Sequence, residues 1–264
     1  MKNDALGNRM KKYEGVTRTH LVPRCPVIIR LDGKAFHTFT RGFVKPFDMV
    51  LVETMQETMK YLCENIQGCV LGYTQSDEIT LVLIDYLKLN SASWFDYNVQ
   101  KCASVAASMA TVAFNKIFRR RVSLLLARDC PGYQYAIYES AVEKGAVFDA
   151  RVFNVPKEEV CNNILWRQND ATRNSIQSVG QAHFPHGELQ NKSDNQIQDM
   201  LFTQKGINWN DYETRPKRGS CCIKMLTNNT INSVVRKKWV LDNEIPIFKG
   251  DGRKYIDDLI FVGE

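Results

Sequence analysis

No apolar run in this chain approaches the roughly 18–20 residues that a membrane-spanning helix needs. The opening stretch, Met1 to Glu14, is polar and lacks the apolar middle of a secretory signal. A cytoplasmic protein with no membrane partner is therefore expected. The eight cysteines form no Cys-x-x-Cys pair, and the adjacent Cys221 and Cys222 do not have zinc-ligand spacing. That excludes a zinc ribbon and predicts eight reduced thiols, mostly buried. His183 and His186 flank Pro185 without the carboxylate pattern of a metallohydrolase. Internal repeats and low-complexity segments are also missing, which excludes a repeat array. Charge of one sign does not dominate. The net charge is +6, a weak pull toward polyanionic partners.

What is present is a chain of 264 residues, long enough for one elaborated domain or two. Its apolar run Val27-Ile28-Ile29-Arg30-Leu31 ends in Asp32 and turns at Gly33. Residues Pro26–Leu31 read as a buried strand rich in branched side chains. Phe47–Asn65 reads as a helix with Asp48 as N-cap. Cys69–Tyr73 and Glu78–Ile84 read as a strand pair whose Gln75-Ser76-Asp77 turn carries acid to its tip. Tyr97–Phe118 is a helix, and its small residues from Lys101 to Ala110 suit close packing. Val147–Phe153 reads as a further strand.

The order strand–helix–strand–strand–helix–strand is the split βαβ pattern of ferredoxin-like folds, also used by polymerase palms and nucleotide cyclases. We therefore expect an α+β fold with an antiparallel sheet, a palm-like core over about 20–155, and a mostly helical C-terminal region over about 156–264 for RNA contact and assembly. The whole forms one catalytic unit. Lys157–Gln181 and Asn195–Gln204 read as helices, Tyr212–Ser220 as a basic loop, and Cys222–Leu226 as a strand.

In that layout Asp32 and Asp77 converge. Magnesium prefers oxygen ligands and is commonly held by one or two carboxylates plus substrate phosphates. Two such ions, about 3.5–4 Å apart, activate an attacking oxygen and stabilise a leaving one. Asp32, Asp77 and the Gly33 carbonyl are the candidate ligands. Read alone, Asp-Gly after a strand is equally a plain turn. Glu78 alternates to the opposite face from Asp77 and is expected to meet a nucleotide or a basic residue. Lys34, Lys45 and Lys101 are candidate triphosphate contacts, and each is also readable as a solvated lysine. Phe36 reads as core, while His37 reads as a phosphate or base contact or as structural. Trp166-Arg167-Gln168 offers an aromatic plane, a guanidinium and an amide suited to an RNA end, and it fits a helix with one buried aromatic equally well. Arg215, Lys217 and Arg218 form a basic cluster.

The strings Arg30-Leu31-Asp32-Gly33-Lys34-Ala35-Phe36-His37 and Gln75-Ser76-Asp77-Glu78 resemble the two signature motifs of the tRNA-His guanylyltransferase family. Lys45-Pro46 with Asp48, Phe148-Asp149 with Arg151, and Trp166-Arg167-Gln168 with Asp170 follow in the family's order. The resemblance covers roughly residues 10–225. It implies a 3′–5′ polymerase that adds nucleotides to the 5′ end of tRNA at the acceptor stem, and usually a homotetramer. It also implies two magnesium ions on Asp32, Asp77 and the Gly33 carbonyl. Residues Asp32, Gly33, Lys34, Ala35, Phe36, His37, Ser76 and Asp77 would line the nucleoside triphosphate site. Lys45, Asp48 and Lys101 would bind a second triphosphate, and ATP or GTP would activate the 5′ end. Members that install the extra guanosine carry His-Ile-Asn-Asn-Leu-Tyr-Asn after the tryptophan motif. Here Thr172-Arg173-Asn174-Ser175-Ile176-Gln177-Ser178 stands instead, which resembles the bacterial and archaeal branch that repairs truncated 5′ ends. A tRNA-His guanylyltransferase and a nucleotide cyclase-like palm remain the alternatives.

Overall fold

In the first strand, β1 (Val27–Gly33), Val27, Ile29 and Leu31 belong to one buried cluster and Ile28 to another. Such alternation on a strand buried on both faces requires cover on each side. The computed structural model supplies it. It describes residues 4–125, 131–228 and 235–263. Met1, Cys130 and residues 229–234 lie outside those residues.

A helix, α1 (Ala5–Gly15), precedes β1. A single helical turn, α2 (Phe36–Phe39), follows it, then α3 (Met49–Asn65). The hairpin β2 (Cys69–Gln75) and β3 (Glu78–Leu83) leads to the long helix α4 (Val99–Leu125), α5 (Gly132–Lys144) and β4 (Phe148–Asn154). The C-terminal region contributes α6 (Lys157–His183), α7 (His186–Leu189), α8 (Asp194–Lys205) and α9 (Thr214–Arg218). Strands β5 (Ser220–Asn228) and β6 (Val235–Asp242) and helix α10 (Lys254–Ile260) complete it.

The six strands run in the order β4-β1-β3-β2-β5-β6, with every neighbouring pair antiparallel. This is a mixed fold of helices on an antiparallel sheet. Helices α3 and α4 cover one face. There Phe36, Phe39, Phe114, Phe118 and Phe148 interlock with ring centroids 5.1–5.8 Å apart. Burying each such side chain stabilises the fold by about 1.5–3 kcal/mol before entropy is subtracted. Helices α6 and α10 cover the other face, around Tyr73, Val82, Ile164 and Phe248.

Helix α3 starts where Asp48 predicts. The Asp48 carboxylate accepts from Leu51 N at 3.0 Å and from Val44 N at 2.9 Å. Gly72 lets α3 approach β2, because a Cβ there would stand 2.5 Å from Cys63 Sγ. The seven described cysteines are free thiols, and all but Cys25 are buried.

One reading needs correction. The expected basic loop at Tyr212–Ser220 contains the short helix α9. The C-terminal region is mostly helical, and its strand expected at Cys222–Leu226 is β5, which with the unexpected β6 extends the same sheet that carries β1, so β2 has a strand on each side. Their apolar and polar residues do not alternate cleanly, which hid β6 from pattern reading.

Candidate functional site

The site begins where β1 runs out. Gly33 N–H donates to the carbonyl of Asp77 at 3.1 Å, which ties the end of β1 to the tip of the β2–β3 hairpin. Gln75 pairs with Glu78, so Ser76 and Asp77 form a two-residue turn. Ser76 adopts φ 49°, the left-handed conformation such turns demand. Its hydroxyl donates to Asp77 Oδ1 at 3.0 Å. Burial pushes the Asp77 carboxyl above its ordinary range. Hydrogen bonds to its own backbone and to Ser76 oppose that, and the charge of Asp32 adds to the rise. The charge of Asp32 thus reaches Asp77 from the end of β1.

The sheet register adds what the sequence did not show. Asp32 lies directly opposite Glu78 on β3 and opposite Asp149 on β4. Opposed residues share a face, so Asp32, Glu78 and Asp149 lie at one level of the sheet on the same face. Arg151 sits between two of them, 3.9 Å from Asp32 Oδ2 and 3.9 Å from Asp149 Oδ1. Alternation along Phe148–Asn154 was the available signal for Asp149 and Arg151.

Beside Asp77 opens a cavity of about 510 Å³. Gly33, Ala35, Phe36 and His37 line one side, and Lys45, Pro46 and Asp48 the other, with Ser76 and Asp77 at the hairpin end. Ala35 takes φ 53° and reverses the chain into α2. A Cβ on Gly33 would overlap the Phe36 ring at 2.2 Å, so the glycine lets that ring support the loop from beneath. Lys45 lines the cavity and is exposed, and Lys34 is exposed beside Gly33.

Other predicted contacts fall elsewhere. Lys101 lies ten residues before Thr111, whose hydroxyl accepts from Phe148 N at 3.2 Å near the site. At the helical rise that puts Lys101 about 15 Å further along α4, where its ammonium lies 6.0 Å from the Phe95 ring. Within this chain it does not join the cavity. Asp48 lines the cavity but is buried, and it also accepts from the Tyr138 hydroxyl at 2.7 Å. Its carboxylate is committed to structure.

Glu78 is buried and does not line the cavity. Its Oε2 accepts from Arg167 Nη1 at 2.8 Å. Arg167 and Gln168 are therefore not surface groups for RNA. Gln168 donates to Pro246 O at 2.8 Å and accepts from Phe248 N at 3.0 Å, fastening α6 to the C-terminal segment. Trp166 is the member of that trio left open, at 50% exposure. The basic cluster is corrected likewise. Lys217 is buried, donates to Asn210 O at 2.6 Å and lies over the Trp209 ring. Arg215 pairs with Glu213 and Glu53, and Arg218 lies over Trp209. These cations tie α9 to Trp209, Asn210 and Glu53, which is why they do not form a free patch.

A mixed helix and antiparallel sheet fold, with Asp77 and Lys45 lining a cavity at the end of the sheet, suits an enzyme that handles nucleotide phosphates. Comparison with known proteins makes this specific. The profile of the tRNAHis guanylyltransferase family matches residues 7–156, and the chain belongs to that family of nucleotidyltransferases.

A solved bacterial tRNA(His) guanylyltransferase-like protein in complex with ATP is 42% identical. The match covers 98% of this chain and 100% of that one, with a TM-score of 0.83. A complex with GTP, also of a bacterial protein of that description, is 40% identical with a TM-score of 0.80 and the same coverage. The tRNA(His) guanylyltransferase of Schizosaccharomyces pombe is 26% identical over 228 residues, 81% of this chain and 78% of its own length. Among the described residues no helix is long and apolar enough to cross a membrane.

Proposed function

We propose that this chain repairs the 5′ ends of tRNAs by template-directed addition in the 3′–5′ direction. The observation that carries this is the tie between Gly33, next to Asp32, and Asp77 at 3.1 Å, with Gly33 and Asp77 both lining a cavity of nucleotide size. The strand order β4-β1-β3-β2, with helices between β1 and β2 and between β3 and β4, supports reading the core as a ferredoxin-like polymerase palm.

The donor set fits magnesium. Among the described residues no three His, Cys, Asp or Glu side chains gather as a metal cluster. Asp32, Asp77 and the Gly33 carbonyl would hold the ions together with substrate phosphates, as is usual for this cation. Bound there, magnesium neutralises the phosphates and stabilises charge on the attacking and leaving oxygens.

The chain's own residues do the rest. The Gly33–His37 loop and Lys34 flank the triphosphate, and Lys45 faces it from across the cavity. In the activation step an oxygen of the RNA 5′-monophosphate attacks the α-phosphorus of ATP or GTP, and pyrophosphate leaves. In the addition step the 3′-hydroxyl of the incoming nucleotide attacks the activated 5′ phosphorus. It loses its proton, and AMP or GMP leaves. A 5′-triphosphate end skips activation and releases pyrophosphate. Asp32 and Asp77 serve both steps. Exposed Trp166, beside Arg30, and exposed Arg151, beside Asp32, are suited to stacking and phosphate contact with the acceptor stem. The cytoplasmic location and homotetramer expected from the resemblance belong to the same reading.

The segment Thr172–Ser178 favours repair over addition of the extra guanosine. It lies in α6, where Ser175 is buried and accepts from Trp209 Nε1 at 3.1 Å. Asn174 and Ser178 line a smaller cavity of about 140 Å³ against α3 and α9. The test supplies 5′-truncated tRNA, magnesium and single nucleoside triphosphates. Nucleotide choice that follows the opposite acceptor strand is the expected result. Addition of guanosine regardless of that strand would establish the guanylyltransferase alternative, and a cyclic nucleotide without RNA lengthening would establish the cyclase.

A further inference from the structure

Four buried side-chain atoms on the α6 side of the sheet have no hydrogen-bond partner among the described residues: Arg30 Nε, Glu78 Oε1, Thr80 Oγ1 and Arg167 Nε. They occupy one neighbourhood. Arg30 and Thr80 oppose each other in the β1–β3 register, and Glu78 lies two residues along on the same face. Glu78 meets Arg167 through its other oxygen. The Arg167 guanidinium stacks on Trp166 at 3.7 Å, and that of Arg30 lies 5.8 Å from the same ring. Buried polar atoms without partners are rare and call for an explanation. Two N–H donors, one carboxylate acceptor and one hydroxyl are the complement that a single tetrahedral water satisfies.

This cluster stands directly behind the acidic pair. Glu78 follows Asp77 in the chain and faces Asp32 across the register. Arg167 holds Glu78 with one nitrogen and Asp170 with the other, at 2.8 and 3.0 Å. The next residue, Gln168, pins α6 to the backbone at Pro246 and Phe248. A continuous run of buried contacts thus leads from a 27-residue helix to the hairpin tip. A buried ion pair adds little net stability, because desolvation offsets its attraction. Arginine's planar fork, however, holds two carboxylates in fixed directions, which a lysine's rotatable ammonium on a flexible stem does not.

We propose that Arg167 is a positioning residue for the cation-holding carboxylates, acting through Glu78 and an ordered water shared with Arg30 and Thr80, and not an RNA contact. This rests on the reading of Asp32 and Asp77 as metal ligands.

The test uses the full chain with Arg167→Lys and Thr80→Val. Manganese affinity is read by electron paramagnetic resonance of the free ion, alongside steady-state RNA extension. Arg167→Lys is expected to weaken manganese binding about 10–100-fold, the range for residues that orient metal ligands. Its kcat falls by a similar factor while KM for RNA stays put. Thr80→Val, which keeps the buried shape, shifts both quantities in the same direction by a smaller factor with an unchanged unfolding temperature. It decides the matter if Arg167→Lys does not fold. Unchanged manganese affinity in the folded variants, or a raised RNA KM at unchanged kcat, overturns the proposal. If the wild type binds manganese but lengthens no RNA, the polymerase reading fails and the manganese comparison still decides the positioning role. If the wild type binds no manganese, the metal reading and this proposal fall together.

Discussion

Asp32 and Glu78 face each other across β1 and β3, one half-buried beside Arg151 and the other sealed against Arg167. Two directly opposed acids thus have opposite fates. The half-buried one keeps 39% of its side chain in contact with water. The buried one is held by a guanidinium, and burial still pushes its carboxyl above the ordinary range despite that partner.

Asp77→Asn is expected to keep the fold and lose activity by about 100-fold or more in both activation and addition, since one carboxylate serves both. Activity with a 5′-monophosphate and a 5′-triphosphate RNA, read beside the circular dichroism spectrum, checks this. A variant that extends RNA at the normal rate would remove Asp77 from the site.

The same variant carries a pH signature. The Asp77 carboxyl is raised in the folded chain, first by burial and then by Asp32. Below its ordinary value both folded and unfolded states are protonated, and no stability is lost. As pH rises toward and through the raised folded value, the unfolded state ionises more readily and stability falls. Asp77→Asn should therefore unfold at a higher temperature than the wild type at pH 7, with the gain vanishing near pH 3. Thermal unfolding without divalent cations at both pH values tests the sign.

Gly33→Ala places a methyl group 2.2 Å from the Phe36 ring. Overpacking of that kind costs about 1–3 kcal/mol, so the unfolding temperature should fall by several degrees, on the order of 2–4 °C per kcal/mol. An unshifted transition would mean the ring moves aside freely, which its contacts with Phe39, Phe114 and Phe148 oppose.

Asp48→Ala should act on stability before it acts on nucleotide binding. The side chain caps α3, holds Val44 N and accepts from Tyr138. Losing these costs about 2 kcal/mol. Denaturant unfolding should show that loss, while KM for ATP measured on the folded protein stays within a few-fold of the wild type.

Trp166→Ala removes an exposed aromatic surface at the end of the sheet that holds Asp32. Base stacking on such a ring contributes about 1–3 kcal/mol, so KM for RNA should rise on the order of 10-fold with nucleotide affinity unchanged. Equal RNA affinity in variant and wild type would place the RNA on another surface.

The strands and long helices were legible because their signals are local. Val27 to Leu31 is too apolar to be anything but buried, Asp48 announces the start of α3, and the acidic turn at Ser76-Asp77 marks a hairpin tip. Helix α5 and strand β6 were not legible. Their sequences, Gly132–Lys144 and Val235–Asp242, mix polar and apolar residues without a clean period, and only their docking onto α4 and β5 gives them shape. The same holds for Arg167 and Lys217. A cation in a sequence looks like a surface group, and nothing nearby in the chain shows that a carboxylate or an indole waits for it.

Sequence alone named Asp32, Gly33, Ser76 and Asp77 as the candidates for the chemistry, because they occur in ordered motifs that resemble a family's signatures. The tertiary structure decided which of the surrounding charges work outward and which work inward. Register and burial set that choice: a carboxylate or guanidinium keeps its freedom in water, and once packed under a helix it must be paired. Lys34, Lys45 and Trp166 remain open to a ligand, whereas Glu78, Arg167, Gln168 and Lys217 are committed to holding the frame.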